Sequence, residues 1–358
     1  MIIHGFDPEI PLERAWTPPA AWYLEADFAR IERETVFRDN WLAVGRAEQV
    51  AEAGDFFSGS VADEPFVVVR DQEGALRAFY NVCRHHATCV AKGAGKTDAL
   101  VCPYHGWTYD LDGRLRKAKL AGPIKDFNRD DFNLVPMQVE QWCGIVFVCP
   151  GDPPEPPSRQ LSALEARLTE MGRGPLTFVA RERYELECNW KVFADNYLDG
   201  GYHVSTIHPW LDAELNMESY RSEAFDRFSI QSSGGQPAQG VDRMGDGALY
   251  AFVYPNLFIN RYGPIMDLNL LYPLGPERCL VLFDYFFEET EGPQAEAFIA
   301  ESRRRSAAIQ MEDMEVCQRV QRGLRSASYD RGRYAPRWER VMHHFHGLLA
   351  NDLERHQP

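Results

Sequence analysis

Two short segments crowd together residues that bind metals. In NVCRHHATCVAKGAGKTDALVCPYHGWTYDLDG, Cys83 and His85 have one residue between them, and after sixteen intervening residues Cys102 and His105 follow as C-P-Y-H. Thiolate and imidazole groups on two tight loops can pinch one metal centre between them. Further on, DNYLDGGYHVSTIHP offers His203 and His208, five apart, with Asp195 and Asp199 upstream. Residues five apart share a helix face poorly, so the chain has to loosen near Gly200 and Gly201, which glycine permits. Two imidazoles and one carboxylate, with coordination positions left open, form a set that binds Fe(II) for work with O2.

The first constellation admits three readings. Buried cysteines and satisfied histidines could coincide, but four ligand-type residues in two tight pairs with Gly and Pro around them argue against chance. A structural Cys2His2 zinc site prefers C-x2-C and H-x3-H pairs over mixed ones. A [2Fe–2S] centre in which two His replace two Cys on one iron asks for one Cys and one His from each loop. Cys83 and Cys102 then hold the inner iron, and His85 and His105 the solvent-facing one. Neutral imidazole in place of thiolate raises the potential from about −400 mV toward the range of about −150 to +300 mV, suited to relaying electrons. Backbone N–H groups near Gly106 and Trp107 are candidates for tuning the centre. The C-x-H register makes His86 a surface or interface residue, and Cys89 reads as a free buried thiol.

The second constellation is weak by itself, because H-x4-H also describes ordinary satisfied histidines. It gains weight downstream of the first. Its carboxylate has to come from elsewhere. The best candidate is Asp313 in AIQMEDMEVCQRVQRGL, with Glu312 as the adjacent alternative and a solvated helix face as the plain reading of both. His343, His344 and His346 have no good metal spacing and suit a packed or solvent-facing terminal helix.

These groups need elements to hold them. The chain has 358 residues, more than one core usually covers, so two domains are expected. Apolar content of 45% and charged content of 25% fit a soluble globular protein. A net charge of −15 disfavours binding to nucleic acid or anionic membrane surfaces. No basic leader and no apolar run of about 18 residues is present, so neither export nor membrane spanning is expected. Eight scattered cysteines then suggest reduced thiols and a cytoplasmic location. Residues 20–40 repeat apolar positions at helical spacing, and 1–40 reads as a helical segment packing on the catalytic domain. Residues 41–150 carry short β-rich runs such as PFVVVR and GIVFVC, with an Asp-Gly turn at 112–113, and form a small all-β domain. CPGDPPEPPSRQ places five prolines in twelve residues, so 151–160 reads as a linker. Residues 161–358 form the larger domain, with helices at 159–171, 189–207, 293–324 and 337–355 around strands at 176–188 and FSIQSS, ALYAFVYPNLFINRY, MDLNLLYPL and CLVLFDYFFEE. The fold class is α+β: a small β domain plus a curved antiparallel sheet flanked by helices.

With these motifs in order, the chain resembles the α subunits of Rieske-type aromatic-ring-hydroxylating oxygenases over roughly residues 20–350. C-x-H-x16-C-P-Y-H-G-W, NWK at 189–191, DNY at 195–197, H-x4-H and the ED…QRGL helix at 312–324 carry the resemblance. Within the family it is most similar to the choline monooxygenase branch, which acts on quaternary ammonium compounds, through DNYLDGGYHV, QMED…CQRVQRGL and SYDRGRY…HHFH. The resemblance implies a Rieske [2Fe–2S] cluster on Cys83, His85, Cys102 and His105, and a mononuclear Fe(II) on His203, His208 and Asp313. It implies an α3 homotrimer in which an acid bridges His105 of one chain to His203 or His208 of its neighbour. Many members place that acid three residues before the first iron-binding His. Here Gly200 stands there, so Asp199 is the bridging candidate and Asp195 the alternative. Asn196 and Tyr197 are expected to orient the ligands. Electrons are expected from NAD(P)H through a separate ferredoxin or flavin reductase, since no dinucleotide-binding loop is present. The implied reaction is O2-dependent monooxygenation of a small quaternary ammonium compound such as choline, with hydroxylation or oxidative demethylation of an aromatic compound as the alternative. Tyr250, Phe252, Tyr254, Phe258 and Tyr262 are candidates for an aromatic cage around a trimethylammonium group. A cage for a cation should hold a carboxylate and exclude Arg and Lys.

Overall fold

Strand-forming residues concentrate in two stretches, and each builds its own sheet. The structure, a computed structural model, describes residues 5–119, 122–171, 174–236 and 242–355. The chain divides into a unit of residues 37–159 and a unit joining the segment up to Val36 to the residues from Gln160 onward.

Among the described residues the smaller unit holds ten strands: β1 (Leu42–Arg46), β2 (Asp55–Val61), β3 (Glu64–Arg70), β4 (Leu76–Tyr80), β5 (Ala94–Lys96), β6 (Leu100–Val101), β7 (Thr108–Tyr109), β8 (Leu115–Lys117), β9 (Pro136–Trp142) and β10 (Ile145–Cys149). Seven form a sheet in the order β1-β10-β9-β4-β3-β2-β5, and β6-β7-β8 form a second, smaller one. The FVVV run of β3 is continuously buried, as a central strand requires. Gly113, at φ +90°, closes the turn between β7 and β8 where Asp-Gly predicts one.

The larger unit contains a curved, wholly antiparallel seven-stranded sheet: β11 (Thr177–Leu186), β12 (Leu215–Ala224), β13 (Phe228–Gly235), β14 (Gly247–Val253), β15 (Leu257–Tyr262), β16 (Ile265–Pro273) and β17 (Cys279–Phe287). From β12 to β17 chain order is spatial order, and β11 closes the far edge against β17. The helices are α1 (Ala21–Leu24), α2 (Ala26–Glu34), α3 (Pro157–Gln160), α4 (Ser162–Glu170), α5 (Trp190–Leu198), α6 (Val204–Ile207), α7 (Pro209–Glu214), α8 (Pro293–Leu324) and α9 (Arg340–Glu354). No helix among the described residues is long and apolar enough to cross a membrane.

Five elements depart from expectation. The helix expected over 189–207 ends at Leu198 and resumes only for one turn, at Val204–Ile207. The helix expected over 20–40 breaks at Glu25, which is extended at ψ 132°, and stops at Glu34. Pro157 opens helix α3 inside the proline-rich stretch, since the first helical turn needs no N–H there. ALYAFVYPNLFINRY is a hairpin, with β14 and β15 separated at Tyr254, Pro255 and Asn256, because Pro cannot continue a ladder. β12, too polar to read as a strand, is an edge strand beside β13.

The NWK triplet explains how α5 is seated. Asn189 caps α5 by accepting the Lys191 N–H, and its amide donates to the carbonyls of Tyr23 and Pro276. Trp190 Nε1 donates to Glu32 at 2.8 Å, and Lys191 Nζ reaches the other Glu32 oxygen at 2.5 Å. Glu32 and Lys191 are almost wholly buried. Deleting one partner of such a pair costs about 3–5 kcal/mol, because the other is left as an unpaired buried charge. The N-terminal helices are thereby fixed to the helix that carries the second constellation.

Candidate metal centres and substrate cavity

In the smaller unit, Cys83 and Cys102 sit in the apolar core with Val67, Phe79, Leu100, Trp107 and Tyr109, each cysteine 2% exposed. Two matching turns deliver them. The Ala87 N–H donates to the Cys83 carbonyl and the Gly106 N–H to the Cys102 carbonyl. Ala87 and Gly106, each four residues after its cysteine, both adopt left-handed conformations, at φ +62° and +70°. The turns project His85 and His105 together, their Nδ1 atoms 3.1 Å apart, and His85 stacks on Trp107 at 4.7 Å. The Gly106 N–H, a candidate for tuning the centre, is thus engaged by the Cys102 carbonyl. The hydroxyl of Tyr109 takes that role. It accepts the Arg84 N–H at 3.0 Å, which leaves its proton for Cys83 Sγ at 3.3 Å. Burial pushes the Cys83 thiol up. Burial, then positive charge on His86 and His105, holds His85 below its ordinary value, favouring a neutral donor. His86 is exposed as expected. Cys89, expected to be buried, is also exposed, because the left-handed turn at Ala87 leads the chain back to the surface. Two buried thiols and two converging outer imidazoles are a donor set that fits a histidine-ligated [2Fe–2S] cluster.

In the larger unit, the turn after α5 makes the second constellation. Gly200 and Gly201 are left-handed at φ +74° and +76°. A Cβ on Gly200 would lie 2.1 Å from the Trp338 carbonyl oxygen, so the position at which the resemblance leads one to expect an acid cannot hold one here. The acid sits one residue earlier. Asp199, 8% exposed, accepts the backbone N–H groups of Gly201, Tyr202 and His203. Its Oδ2 also lies 2.6 Å from His203 Nδ1.

His203, His208 and Asp313 present ligand atoms within 4.8 Å of one another. Asp313 Oδ1 is 2.9 Å from His208 Nε2 and 3.8 Å from His203 Nε2. Glu312 takes a different part. Its Oε2 is 2.7 Å from His208 Nδ1, so the two neighbouring acids of α8 straddle one imidazole. Both histidines thus have Nδ1 held by a carboxylate and Nε2 turned to a common point, the arrangement that fixes tautomer and aim in iron and zinc sites. Asn196 Nδ2 donates to Asp313 Oδ1 at 2.8 Å and orients that carboxylate. Burial depresses the His208 pKa, but hydrogen bonds and charge from Asp313, then Glu312, outweigh it and raise the pKa above its ordinary value. A cation placed among these ligands would displace that proton.

Two expected residues are placed elsewhere. Asp195 turns away from the histidine pair to His346 at 2.9 Å and Tyr23 at 2.7 Å, and Tyr334 holds the other His346 nitrogen at 2.6 Å. The terminal HHFH cluster therefore contributes a buried structural histidine. Tyr197 bonds Asn260 at 2.7 Å and touches no ligand.

The triad opens on a cavity of about 150 Å³. One wall is a row across the sheet, Gln231, Tyr250, Asn260 and Asp267, which are register partners on successive strands. Of the five cage candidates, Tyr250 and Tyr262 line the cavity. Phe252 and Phe258, further along the same strands, and Tyr254, in the turn between them, pack against Phe345 of α9 and Phe193 of α5. The cavity also holds a buried acid, Asp267, and a buried guanidinium, Arg243. Asp267 was legible in principle, since it alternates with Asn269 as polar positions in the apolar run IMDLNLLYP. Arg243 lies in VDRMGDG, which gives no periodic signal.

Comparison with known proteins agrees with both centres. Residues 40–128 match the Rieske [2Fe–2S] domain, and residues 175–354 match the ring-hydroxylating α subunit catalytic domain. The chain belongs to the Rieske-type ring-hydroxylating oxygenase α-subunit family, whose members are oxidoreductases that carry a [2Fe–2S] cluster and a non-haem iron. It is 46% identical to the chloroplastic choline monooxygenase of Arabidopsis thaliana, over 99% of this chain and 86% of that protein. It is 29% identical to the carnitine monooxygenase oxygenase subunit of Escherichia coli, over 94% of each. A solved quaternary ammonium Rieske monooxygenase superposes with a TM-score of 0.87 at 26% identity, covering 98% of this chain and 99% of that one.

Proposed function

We propose that this chain is the terminal oxygenase of a multicomponent system that inserts one oxygen atom from O2 into a small quaternary ammonium compound of the choline and carnitine type. The observation that carries this reading is the convergence of His203, His208 and Asp313 on a cavity walled by tyrosines and the buried carboxylate of Asp267. A cation is stabilised there by ring faces and by a negative charge already desolvated. In this reading Cys83, His85, Cys102 and His105 hold the cluster, and His203, His208 and Asp313 hold Fe(II). When bound, the cluster supplies single electrons and the iron activates O2.

The protein's own contribution is placement. Asp199 and Glu312 keep the Nδ1 protons of His203 and His208, so that the Nε2 lone pairs face inward. Asn196 fixes the Asp313 carboxylate. The sheet wall holds substrate beside the metal position and excludes water. Asp199 is our candidate for meeting His105 of a neighbouring subunit in an α3 homotrimer. Electrons come from NAD(P)H through a ferredoxin or flavin reductase, the kind of partner this family uses. The eight cysteines are all free, which supports a reducing compartment, in our reading the cytoplasm.

The test is metal analysis of anaerobically purified protein, followed by O2 uptake with a reductase. About three irons and two labile sulfides per chain, with quaternary amines driving uptake, is the expected result. Zinc without sulfide would overturn the cofactor assignment. Uptake driven only by aromatic acids would favour aromatic hydroxylation instead.

A further inference from the structure

The cavity fails one condition for a simple cation cage, because it contains a guanidinium. Arg243 is 3% exposed and lines the same space as Asp267. Its nearest acid is Glu214, at 3.7 Å, but Arg305 holds that carboxylate much more closely, at 2.6 Å. Its other contacts are both with Tyr262, a 3.3 Å bond from Nη2 to the hydroxyl and a position over the ring 5.4 Å from its centre, and its Nε has no partner among the described residues. Asp267 is equally detached from it. Its oxygens accept from Asn260, Asn269 and Tyr262, all neutral donors. The Tyr262 hydroxyl lies between the two charges, accepting from Arg243 and donating to Asp267, so they share a wall without pairing. A buried ion short of partners is costly, and a ligand that completes it is favoured by the same amount.

We infer that the substrate is a zwitterion, a quaternary ammonium compound with a carboxylate arm, and that Arg243 is the residue that reads the carboxylate. This rests on the quaternary ammonium reading above and narrows it. Asp267 and the ring of Tyr250 take the cationic head, since Tyr262 already faces Arg243. Arg243 takes the anionic end, its Nε and Nη groups forming the two-pronged contact that guanidinium makes with carboxylate. A substrate with a positive charge alone, such as choline, leaves Arg243 incompletely paired and adds a like charge nearby.

The experiment uses the full-length, metal-loaded enzyme. Anaerobic calorimetry measures the binding of 4-(trimethylammonio)butanoate and of choline, and O2 uptake with reductase measures their turnover. The wild type is expected to bind the zwitterion at least tenfold more tightly than choline. Arg243→Met is expected to weaken zwitterion binding at least fiftyfold and to change choline binding less than threefold, with unaltered iron content and cluster spectrum. Asp267→Asn should weaken both ligands. Tighter binding of choline by the wild type, or equal losses for both ligands in Arg243→Met, would overturn the inference and leave the quaternary ammonium reading standing. Turnover of benzoate with neither amine bound would overturn both. The wild-type comparison stands even if Arg243→Met does not fold.

Discussion

At the proposed cluster loops all four donors lie between Cys83 and His105, whereas at the proposed iron triad Asp313 is 105 residues from His208. The first centre is made by two tight turns that would hold their shape in many settings. The second exists only when a turn after α5 meets the middle of α8. The outer shells differ in the same way. Around Cys83 and Cys102, sulfur is met by a tyrosine hydroxyl, on Cys83, and by apolar packing. Around the triad, each histidine is held by its own carboxylate. A local centre is tuned by what buries it, and an assembled centre by what aims it.

The largest effects should separate the two centres completely. Asp313→Ala is expected to remove the mononuclear iron and lower turnover at least a thousandfold, while the cluster's visible and EPR spectra persist. Cys102→Ala is expected to abolish those spectra and leave one iron per chain. Loss of both metals in either variant would show that the centres depend on one another, contrary to the comparison drawn here.

Aiming should matter less than ligation. Glu312→Gln and Asp199→Asn each remove a carboxylate from a histidine Nδ1, and such changes typically cost about 10–100-fold in metal affinity or activity. If Asp199 also bridges subunits, Asp199→Asn should lower turnover beyond any loss of iron, and single-turnover electron transfer from reduced cluster to iron would reveal the difference. An equal effect in the two variants would confine Asp199 to positioning.

The matching turns allow a finer test. Ala87 bears the left-handed strain that Gly106 avoids, and a side chain at Gly106 would meet only Lys119, 3.9 Å away. Ala87→Gly should therefore stabilise the smaller unit and Gly106→Ala destabilise it, each by about 1 kcal/mol. Thermal loss of cluster absorbance reads both, and neither should change triad iron.

The smallest effect belongs to the larger unit. Burial, then neighbouring histidine charge, holds His343 below its ordinary pKa of 6.5, and burial likewise lowers His344. Folding therefore favours their neutral forms. Their contribution is complete above pH 6.5 and is lost as pH falls from there toward the folded-state values. The opening free energy of α9, taken from amide exchange corrected for the intrinsic rate at each pH, should fall as pH drops from 6.5 toward the folded-state values, by at most about 1.4 kcal/mol per pH unit for each histidine. The double variant His343→Asn, His344→Asn should flatten that dependence.

What could be read from the residues follows the same division. C-x-H and C-P-Y-H needed only local spacing. The curved sheet, α8 and α9 came from periodicity. The choice between Glu312 and Asp313 did not, because adjacent helix residues differ by a rotation that only a packed neighbour resolves. Tyr250 and Phe252 have the same alternation phase and different surroundings, since helices cover one end of the strands and leave the other open. Asp199 was legible as an acid near the histidines. Its position became intelligible only with the carbonyl of Trp338 pressed against Gly200.

The anchor of Glu32 on Trp190 and Lys191 sets a timetable for biosynthesis. The segment that bears Glu32 leaves the ribosome first, but its partners follow more than 150 residues later, after the whole cluster-binding unit has been made. Until then the buried residues of α2, Phe28 and Glu32, lack the surroundings that cover them in the folded protein. The cluster-binding unit, by contrast, is complete before the anchor can close, so it has the opportunity to receive its iron and sulfide while the oxygen-activating half is still unformed.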